Sequence, residues 1–315
     1  METRVENLSW MWWVHRGSTL TRHVVRAMRL KQWIKNAVCL APLIFSGKFL
    51  DIGSILAACL GTLLFSFLAS AIYITNDIYD VELDRHNPKK KHRPIASGAL
   101  PLGLAVIAAG VLAVSPIGVS LLSLGVDHAL VLGSYAMLNV LYSAQLKHIA
   151  IVDVIVIALG FLLRVSAGAV AVDRLPSQWL FLCMFFLALL LGFAKRRGEM
   201  IGIQNGRSDQ RPVLSFYSLP FIDLVLGITA AMTLITYALY LVLAHTTQFF
   251  IVTLIPVTFA LLRYLQLVLV NELGDKPEEV LLADLPILVA VVVWALLSAV
   301  FIAHEVWVKG CTPPC

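Results

Sequence analysis

Charge is what this chain has least of: only 14% of its 315 residues are charged, against roughly a quarter in an ordinary soluble domain, and 59% are hydrophobic. Nineteen acidic and 24 basic side chains cannot cover a globular surface of this size, which excludes a water-soluble enzyme or binding module. Cysteine is scarce as well, 5 in all, so a disulfide scaffold is excluded. The apolar residues are too abundant for a disordered chain and come in blocks, not the heptads of a coiled coil. No internal repeat or low-complexity tract is present, and no polar stretch is long enough to form a soluble domain. The solvent that suits this composition is lipid.

A helix needs about 20 apolar residues to cross ~30 Å of hydrocarbon. Nine blocks meet or approach that length, at 34–50, 53–75, 101–124, 128–143, 150–172, 177–194, 219–243, 249–270 and 281–303, the first and fourth being short. The expected fold is an all-α integral membrane protein, a bundle of about nine transmembrane helices. It divides into a cytoplasmic or interfacial N-terminal segment (1–33), the helical domain (34–303) and a short outer tail (304–315). The first 33 residues mix Arg16, Arg22, Arg26 and Arg29 with Trp10, Trp12 and Trp13 and lack the single apolar core of a signal peptide, so no cleaved leader is expected. They suit a helix lying on the membrane surface, and a partly disordered tail fits them nearly as well.

Lysine and arginine favour cytoplasmic loops. Assigning the connections alternately to the two sides places 19 of the 24 basic residues on the side of the N-terminus. Only Lys48, Arg174 and Lys309 fall opposite, and Arg164 and Arg263 lie within spans. The N-terminus is therefore expected in the cytoplasm of a cell whose inner membrane holds the chain, and the C-terminus outside. Anionic headgroups and phosphorylated substrates account for the basic excess without a nucleic-acid partner. Cys39, Cys59 and Cys183 read as small hydrophobes within spans, whereas Cys311 and Cys315 fall in the tail.

Most of the chemistry sits in two connections on the basic side. Directly after the second block come Asn76, Asp77, Asp80 and Asp84. At about 100° per residue the three aspartates share an arc of roughly 60°, which Asn76 widens to about 100°. Like charges gathered at a membrane boundary need a neutralising cation, and hard carboxylate oxygens at this spacing suit Mg²⁺ shared with substrate phosphates. Just beyond lie Arg85, Lys89, Lys90, Lys91 and Arg93, the last opening an Arg-Pro-Ile-Ala-Ser-Gly turn. Acids to hold a metal beside bases to hold phosphate oxygens make a diphosphate site. The bland readings are an acidic helix end exposed to solvent and, for Lys89 to Lys91, a simple positive-inside signal.

The pattern Asn-Asp-x-x-Asp-x-x-x-Asp followed by Arg-Pro-Ile-x-Ser-Gly, set among nine spans, resembles the UbiA-type intramembrane prenyltransferase superfamily. Arg29, Gln32, Trp33, Lys35 and Asn36 are similar to a segment of its decaprenyl-phosphate phosphoribosyltransferase branch, which makes the lipid precursor of arabinan donors for cell walls. Further likenesses are Tyr142 with Leu146, Lys147 and His148, then Gly160, Phe161 and Arg164, then Lys195, Arg196 and Glu199, then Gly274, Pro277, Glu278 and Asp284. The resemblance runs over residues 26–303, and its specificity lies in the order and spacing of these pieces.

One departure separates the branches. Prenyl-transferring members carry a second aspartate-rich motif after the sixth span, where this chain has Lys195, Arg196, Arg197 and Glu199, with Asp209 the one aspartate of the loop. Bases in place of acids suit an additional phosphate, such as the 5-phosphate of phosphoribosyl pyrophosphate or that of a polyprenyl-phosphate acceptor. Lys195 to Arg197 also fit a plain helix-end anchor.

The resemblance implies transfer of 5-phosphoribose to a polyprenyl phosphate with Mg²⁺ as cofactor. Asn76, Asp77, Asp80 and Asp84 would hold the metal, and Arg29, Lys35, Asn36, Arg93, Tyr142, Lys147, Arg164, Lys195 and Arg196 would contact substrates. For Arg263, substrate contact and an interhelical bridge are both open, and for Asp284 both ribose or metal contact and a solvated loop. The alternatives are a UbiA-type prenyltransferase using an isoprenyl diphosphate with an aromatic or glycerol-phosphate acceptor, and, from another class, a secondary transporter. A transporter would place coupling charges at mid-membrane within repeats, whereas these carboxylates cluster at helix ends. The oligomeric state stays open, a homo-oligomer included.

Overall fold

The computed structural model describes residues 20–175, 178–204, 212–243, 248–274 and 277–309. Trp10, Trp12, Trp13, Arg16, Arg207, Asp209, Arg211, Lys276, Cys311, Cys315 and the side chains of Pro277 and Glu278 lie outside the described residues. Among the described residues every regular element is helical. The long ones are α1 (Ile52–Tyr79), followed at once by the short α2 (Val81–His86), then α3 (Leu102–Ser123), α4 (Val126–Ala144), α5 (Val152–Ala171), α6 (Gln178–Gln204), α7 (Leu219–Leu243), α8 (Leu254–Leu269) and α9 (Leu285–Lys309).

Among the described residues seven helices are long and apolar enough to cross a membrane: Ile52–Tyr79, Leu102–Ser123, Val152–Ala171, Gln178–Gln204, Leu219–Leu243, Phe249–Leu269 and Leu285–Glu305. They match seven of the nine blocks read from the sequence. The fourth block is α4, a single 19-residue helix outside that set, carrying Asp127, His128 and Asn139 among its apolar residues. The first block does not form one helix. Residues Leu30–Leu40 wind as a 3₁₀ helix, Ala41–Phe45 as one α-turn and Lys48–Leu50 as a second 3₁₀ turn. Pro42 lacks an amide hydrogen and starts a new helix, and Gly47 takes the left-handed conformation at φ 70°, so continuous α-helical bonding is interrupted twice.

The described residues form two compact units, one within 1–36 and 63–132 and the other within 37–62 and 133–315. In the first, Ala27, Met28, Ile74, Ile95, Leu100 and Ala105 make the core, flanked by Trp33 and Phe67. The two rings meet edge to face, 5.5 Å between centroids. Ser66 and Ser70, one turn apart on α1, fix the segment leading in: Ser70 Oγ accepts from Trp33 Nε1 at 3.0 Å and donates to the Met28 carbonyl at 3.0 Å, and Ser66 Oγ accepts from Asn36 Nδ2 at 3.0 Å. The Arg-Pro-Ile-Ala-Ser-Gly segment is a closed turn, with Leu100 N–H donating to the Pro94 carbonyl at 2.8 Å and Gly98 at φ +77°.

In the second unit α6 packs along α5 and α7, around Val154, Leu190, Phe193, Ile222, Leu226 and Tyr264. A separate aromatic cluster gathers Phe45, Tyr237, Tyr240, Phe250 and Trp294, with Trp294 Nε1 donating to the Tyr237 hydroxyl at 2.8 Å. The close seating of α5 depends on Gly168, where a Cβ would lie 1.8 Å from the Cys39 carbonyl oxygen, far inside contact distance.

Candidate active site

Two charged clusters stand out, one in each unit, and both are built on a guanidinium shared by two carboxylates. In the first unit, α1 runs 28 residues and brings Asn76 and Asp77 into its final turn. Asp80 occupies the break before α2, at φ −91° and ψ 8°, and Asp84 follows one turn later. Helical hydrogen bonding carries through the break, from Asp80 N–H to the Asn76 carbonyl at 2.9 Å and from Asp84 N–H to the Asp80 carbonyl at 2.8 Å. Asp77 and Asp84, each 3% exposed, thus converge on Arg93, whose Nη1 donates to them at 2.9 and 2.6 Å respectively. Arg29 also pairs with Asp77, and its guanidinium lies over the Tyr73 ring at 5.4 Å. Glu82 turns away to an exposed pair with Arg85.

A cavity of about 190 Å³ opens at this cluster, lined by Arg26, Arg29, Lys89, His92 and Arg93 above Asp77. Of the three consecutive lysines only Lys89 lines it. Among the described residues no three His, Cys, Asp or Glu side chains converge as a ready metal site. Two carboxylates already gathered around one cation nonetheless fit Mg²⁺, which in phosphate-using sites is held by one or two carboxylates and completed by phosphate and water.

In the second unit Asp153, in the first turn of α5, is fully buried and accepts from Arg196 Nε at 2.7 Å. Its other oxygen accepts from the Tyr217 hydroxyl at 2.8 Å, which in turn accepts from the Ile151 amide. Ile151 has φ +69°, a costly conformation for a β-branched residue, just after the turn Leu146–His148 that carries Lys147. Arg196 is 1% exposed and also donates through Nη1 to Glu199 at 2.7 Å, leaving Nη2 buried with no hydrogen-bond partner among the described residues. Tyr142 belongs to the same electrostatic neighbourhood. Burial, reinforced by the bond to Asp153, pushes the Tyr217 hydroxyl up to about 12.

Other residues singled out in the sequence have the following surroundings. Arg197 ties α6 to α7 through Asp223 at 2.7 Å and to the end of α8 through the Val268 carbonyl at 2.8 Å, so it is an anchor. Arg164 donates to the Gly160 carbonyl and to the Tyr135 hydroxyl, each at 2.9 Å, with the Tyr135 and Phe161 rings 5.0 and 5.1 Å away. Arg263 bridges to Asp284 at 2.9 Å, and Asp284 also caps α9 by accepting the Ile287 amide at 3.0 Å. Asn36 is buried against Ser66, while Lys35, Lys147 and Lys195 are half-buried. Gly274 lets its loop reach α6, since a Cβ there would lie 2.4 Å from the Ala194 carbonyl, beside Lys195.

Sequence reasoning missed the partnership of Asp153 with Arg196 and Tyr217, and the part of Arg26, Lys89 and His92 in the cavity. A signal existed for Asp153: an acid in an apolar block needs a cation partner.

A multi-helix bundle with an aspartate–arginine cluster at the end of a long helix fits a membrane transferase, and this chain belongs to the UbiA prenyltransferase family, which matches residues 37–285. It is 34% identical over 289 residues to the decaprenyl-phosphate phosphoribosyltransferase of Corynebacterium glutamicum, covering 89% of this chain and 87% of that protein. It is 33% identical over 290 residues to the protein of the same name from Mycolicibacterium smegmatis, covering 87% and 91%. In fold it is similar to a solved UbiA homolog from Archaeoglobus fulgidus bound to DMAPP and Mg²⁺, with a TM-score of 0.65, 20% identity, and coverage of 91% and 99%.

Proposed function

We propose that the protein transfers 5-phosphoribose from phosphoribosyl pyrophosphate to a decaprenyl-like polyprenyl phosphate and releases diphosphate, at the cytoplasmic face of the inner membrane. The observation that carries this reading is the likeness, over nearly the whole chain, to two proteins bearing that activity in their names. The site chemistry supports it. Asp77 and Asp84 would hold Mg²⁺, with Asn76 and Asp80 as further oxygen donors, and the bound metal would neutralise charge on the departing diphosphate. Arg29 and Arg93 bind the diphosphate oxygens.

In the second unit Lys195 takes a phosphate, Arg196 supplies a buried counter-charge, and Tyr142, Lys147 and Arg164 support substrate binding, as Lys35 and Asn36 do in the first unit. The lipid phosphate is already an anion, so no side chain need remove a proton before its oxygen attacks the anomeric carbon.

The test is incubation of the purified protein with labelled phosphoribosyl pyrophosphate, polyprenyl phosphate and Mg²⁺, followed by lipid extraction. Label is expected in the lipid phase, and Asp77→Asn or Asp84→Asn should abolish it while the protein stays folded in detergent. Consumption of an isoprenyl diphosphate with no phosphoribosyl transfer would overturn the donor assignment.

A further inference from the structure

The two charged clusters share one plan and differ in access. Arg196 between Asp153 and Glu199 is sealed: guanidinium and Asp153 are 1% and 0% exposed. Arg93 between Asp77 and Asp84 is a buried carboxylate pair beneath a guanidinium that is 28% exposed, and Arg29, 30% exposed, stands beside it. Both arginines line the cavity. A ligand entering it therefore meets guanidinium groups first, and the carboxylates lie behind them.

Within the ion-paired set the charges balance, Asp77 and Asp84 against Arg29 and Arg93. A divalent ion added here alone would face two resident cations and raise the local charge to about +2, at close range and in a partly desolvated site. A diphosphate removes that obstacle. The cavity wall offers it Arg26, Lys89 and His92, and bidentate bonds to phosphate oxygens compete for an arginine at least as well as a carboxylate does. The backbone of Arg93 is held in its turn, its N–H donating to the Lys90 carbonyl and its carbonyl accepting from Ser97, each at 2.9 Å, so the motion required belongs to the side chain.

We propose that Arg93 is an internal counter-ion that exchanges: diphosphate draws it off Asp77 and Asp84, and a divalent metal takes the vacated position, so that the site accepts a metal–diphosphate unit and refuses the bare metal. This deepens the proposed function and rests on its assignment of a diphosphate-bearing donor to this cluster.

The test uses full-length protein in detergent with inorganic diphosphate as the probe. Thermal unfolding of the unmodified protein is followed with Mg²⁺ alone, diphosphate alone and both, since a ligand that binds the folded state raises its stability in proportion to occupancy. Mg²⁺ alone should shift the midpoint little, and the pair should shift it by more than the two separate shifts added. An equal shift from Mg²⁺ alone overturns the exchange.

Calorimetry on Arg93→Met should then show opposite changes, Mn²⁺ alone binding about tenfold tighter or more and diphosphate alone binding more weakly. Unchanged or weaker Mn²⁺ binding would mean that Arg93 is only a phosphate ligand. Lys89→Met, whose ammonium pairs with neither carboxylate, should weaken diphosphate without tightening Mn²⁺; an equal gain there would reduce the effect to general electrostatics and overturn the exchange. If Arg93→Met does not fold, the thermal comparison on the unmodified protein decides. Coupled binding of inorganic diphosphate with no turnover of phosphoribosyl pyrophosphate would leave the exchange standing and remove the donor assignment, whereas turnover together with tight binding of bare Mg²⁺ would do the reverse.

Discussion

A guanidinium as deeply buried as that of Arg196 is tolerable only while its acids stay in place. Asp153→Ala removes the carboxylate on Nε and leaves a buried cation with Glu199 as its remaining acid, so it should destabilise the protein by about 3 kcal/mol or more. Asp153→Asn keeps an oxygen acceptor for Tyr217 or Arg196 and should lose less; unfolding in detergent would separate the two. The bond from Tyr217 gives a second measurement. Burial pushes its hydroxyl up to about 12 in the fold against about 10 when unfolded. The unfolded chain therefore releases that proton first, and stability should decline as pH rises from about 10 to about 12. In Tyr217→Phe that part of the decline should vanish, while the loss of the Ile151 and Asp153 bonds lowers stability at pH 7; an identical pH profile for both proteins would refute the assignment.

Legibility at this scale follows sequence separation. Asp77, Asp84 and Arg93 lie within 16 residues, and a helical wheel with one turn brings them together. Asp153 and Arg196 are 43 apart and Tyr217 is 64 from Asp153, distances over which only tertiary packing sets the partner. The family likeness puts Asn36 among the substrate contacts, and its amide also bonds to Ser66. A residue pattern alone does not distinguish those uses.

Among the elements, seven long apolar helices were legible from block length, because bilayer thickness leaves little freedom. Residues 34–50 were not, since average hydrophobicity is blind to the missing amide of Pro42 and the left-handed turn at Gly47. The contact between α8 and α9 illustrates a charge whose role the sequence left open. Asp284 binds Arg263 and caps α9 at once. Asp284→Asn should keep the cap and lose the charge pairing, and Asp284→Ala should lose both, giving midpoints in the order wild type, Asn, Ala. Hydrogen bonds from Arg263 hold the Asp284 carboxyl below the ordinary carboxylate range. Its contribution is therefore complete above about pH 4 and is lost as pH falls through the lower folded value, so the gap between wild type and Asn should close in acid. A gap that persists unchanged in acid would point to the cap alone.

For the whole molecule, sidedness is the property with most at stake, because 19 of 24 basic residues lie on one side of the alternating assignment. With the native cysteines replaced, Lys90→Cys should react with a membrane-impermeant thiol reagent only after the cytoplasmic side is opened, and a reporter fused after residue 315 should be active outside. Labelling of position 90 in intact cells would reverse the topology and close the proposed donor entry.

The separation of Asp153 from Arg196 also bears on how the protein is made. The acid lies in α5 and the base in α6, so the ribosome delivers the carboxylate first and its counter-charge 43 residues later. A guanidinium buried in the protein without its acid is costly, and here the acceptor is already made when it arrives. Order of synthesis thus favours α5 and α6 associating as a pair, with Tyr217, on the loop before α7, fastening them afterwards.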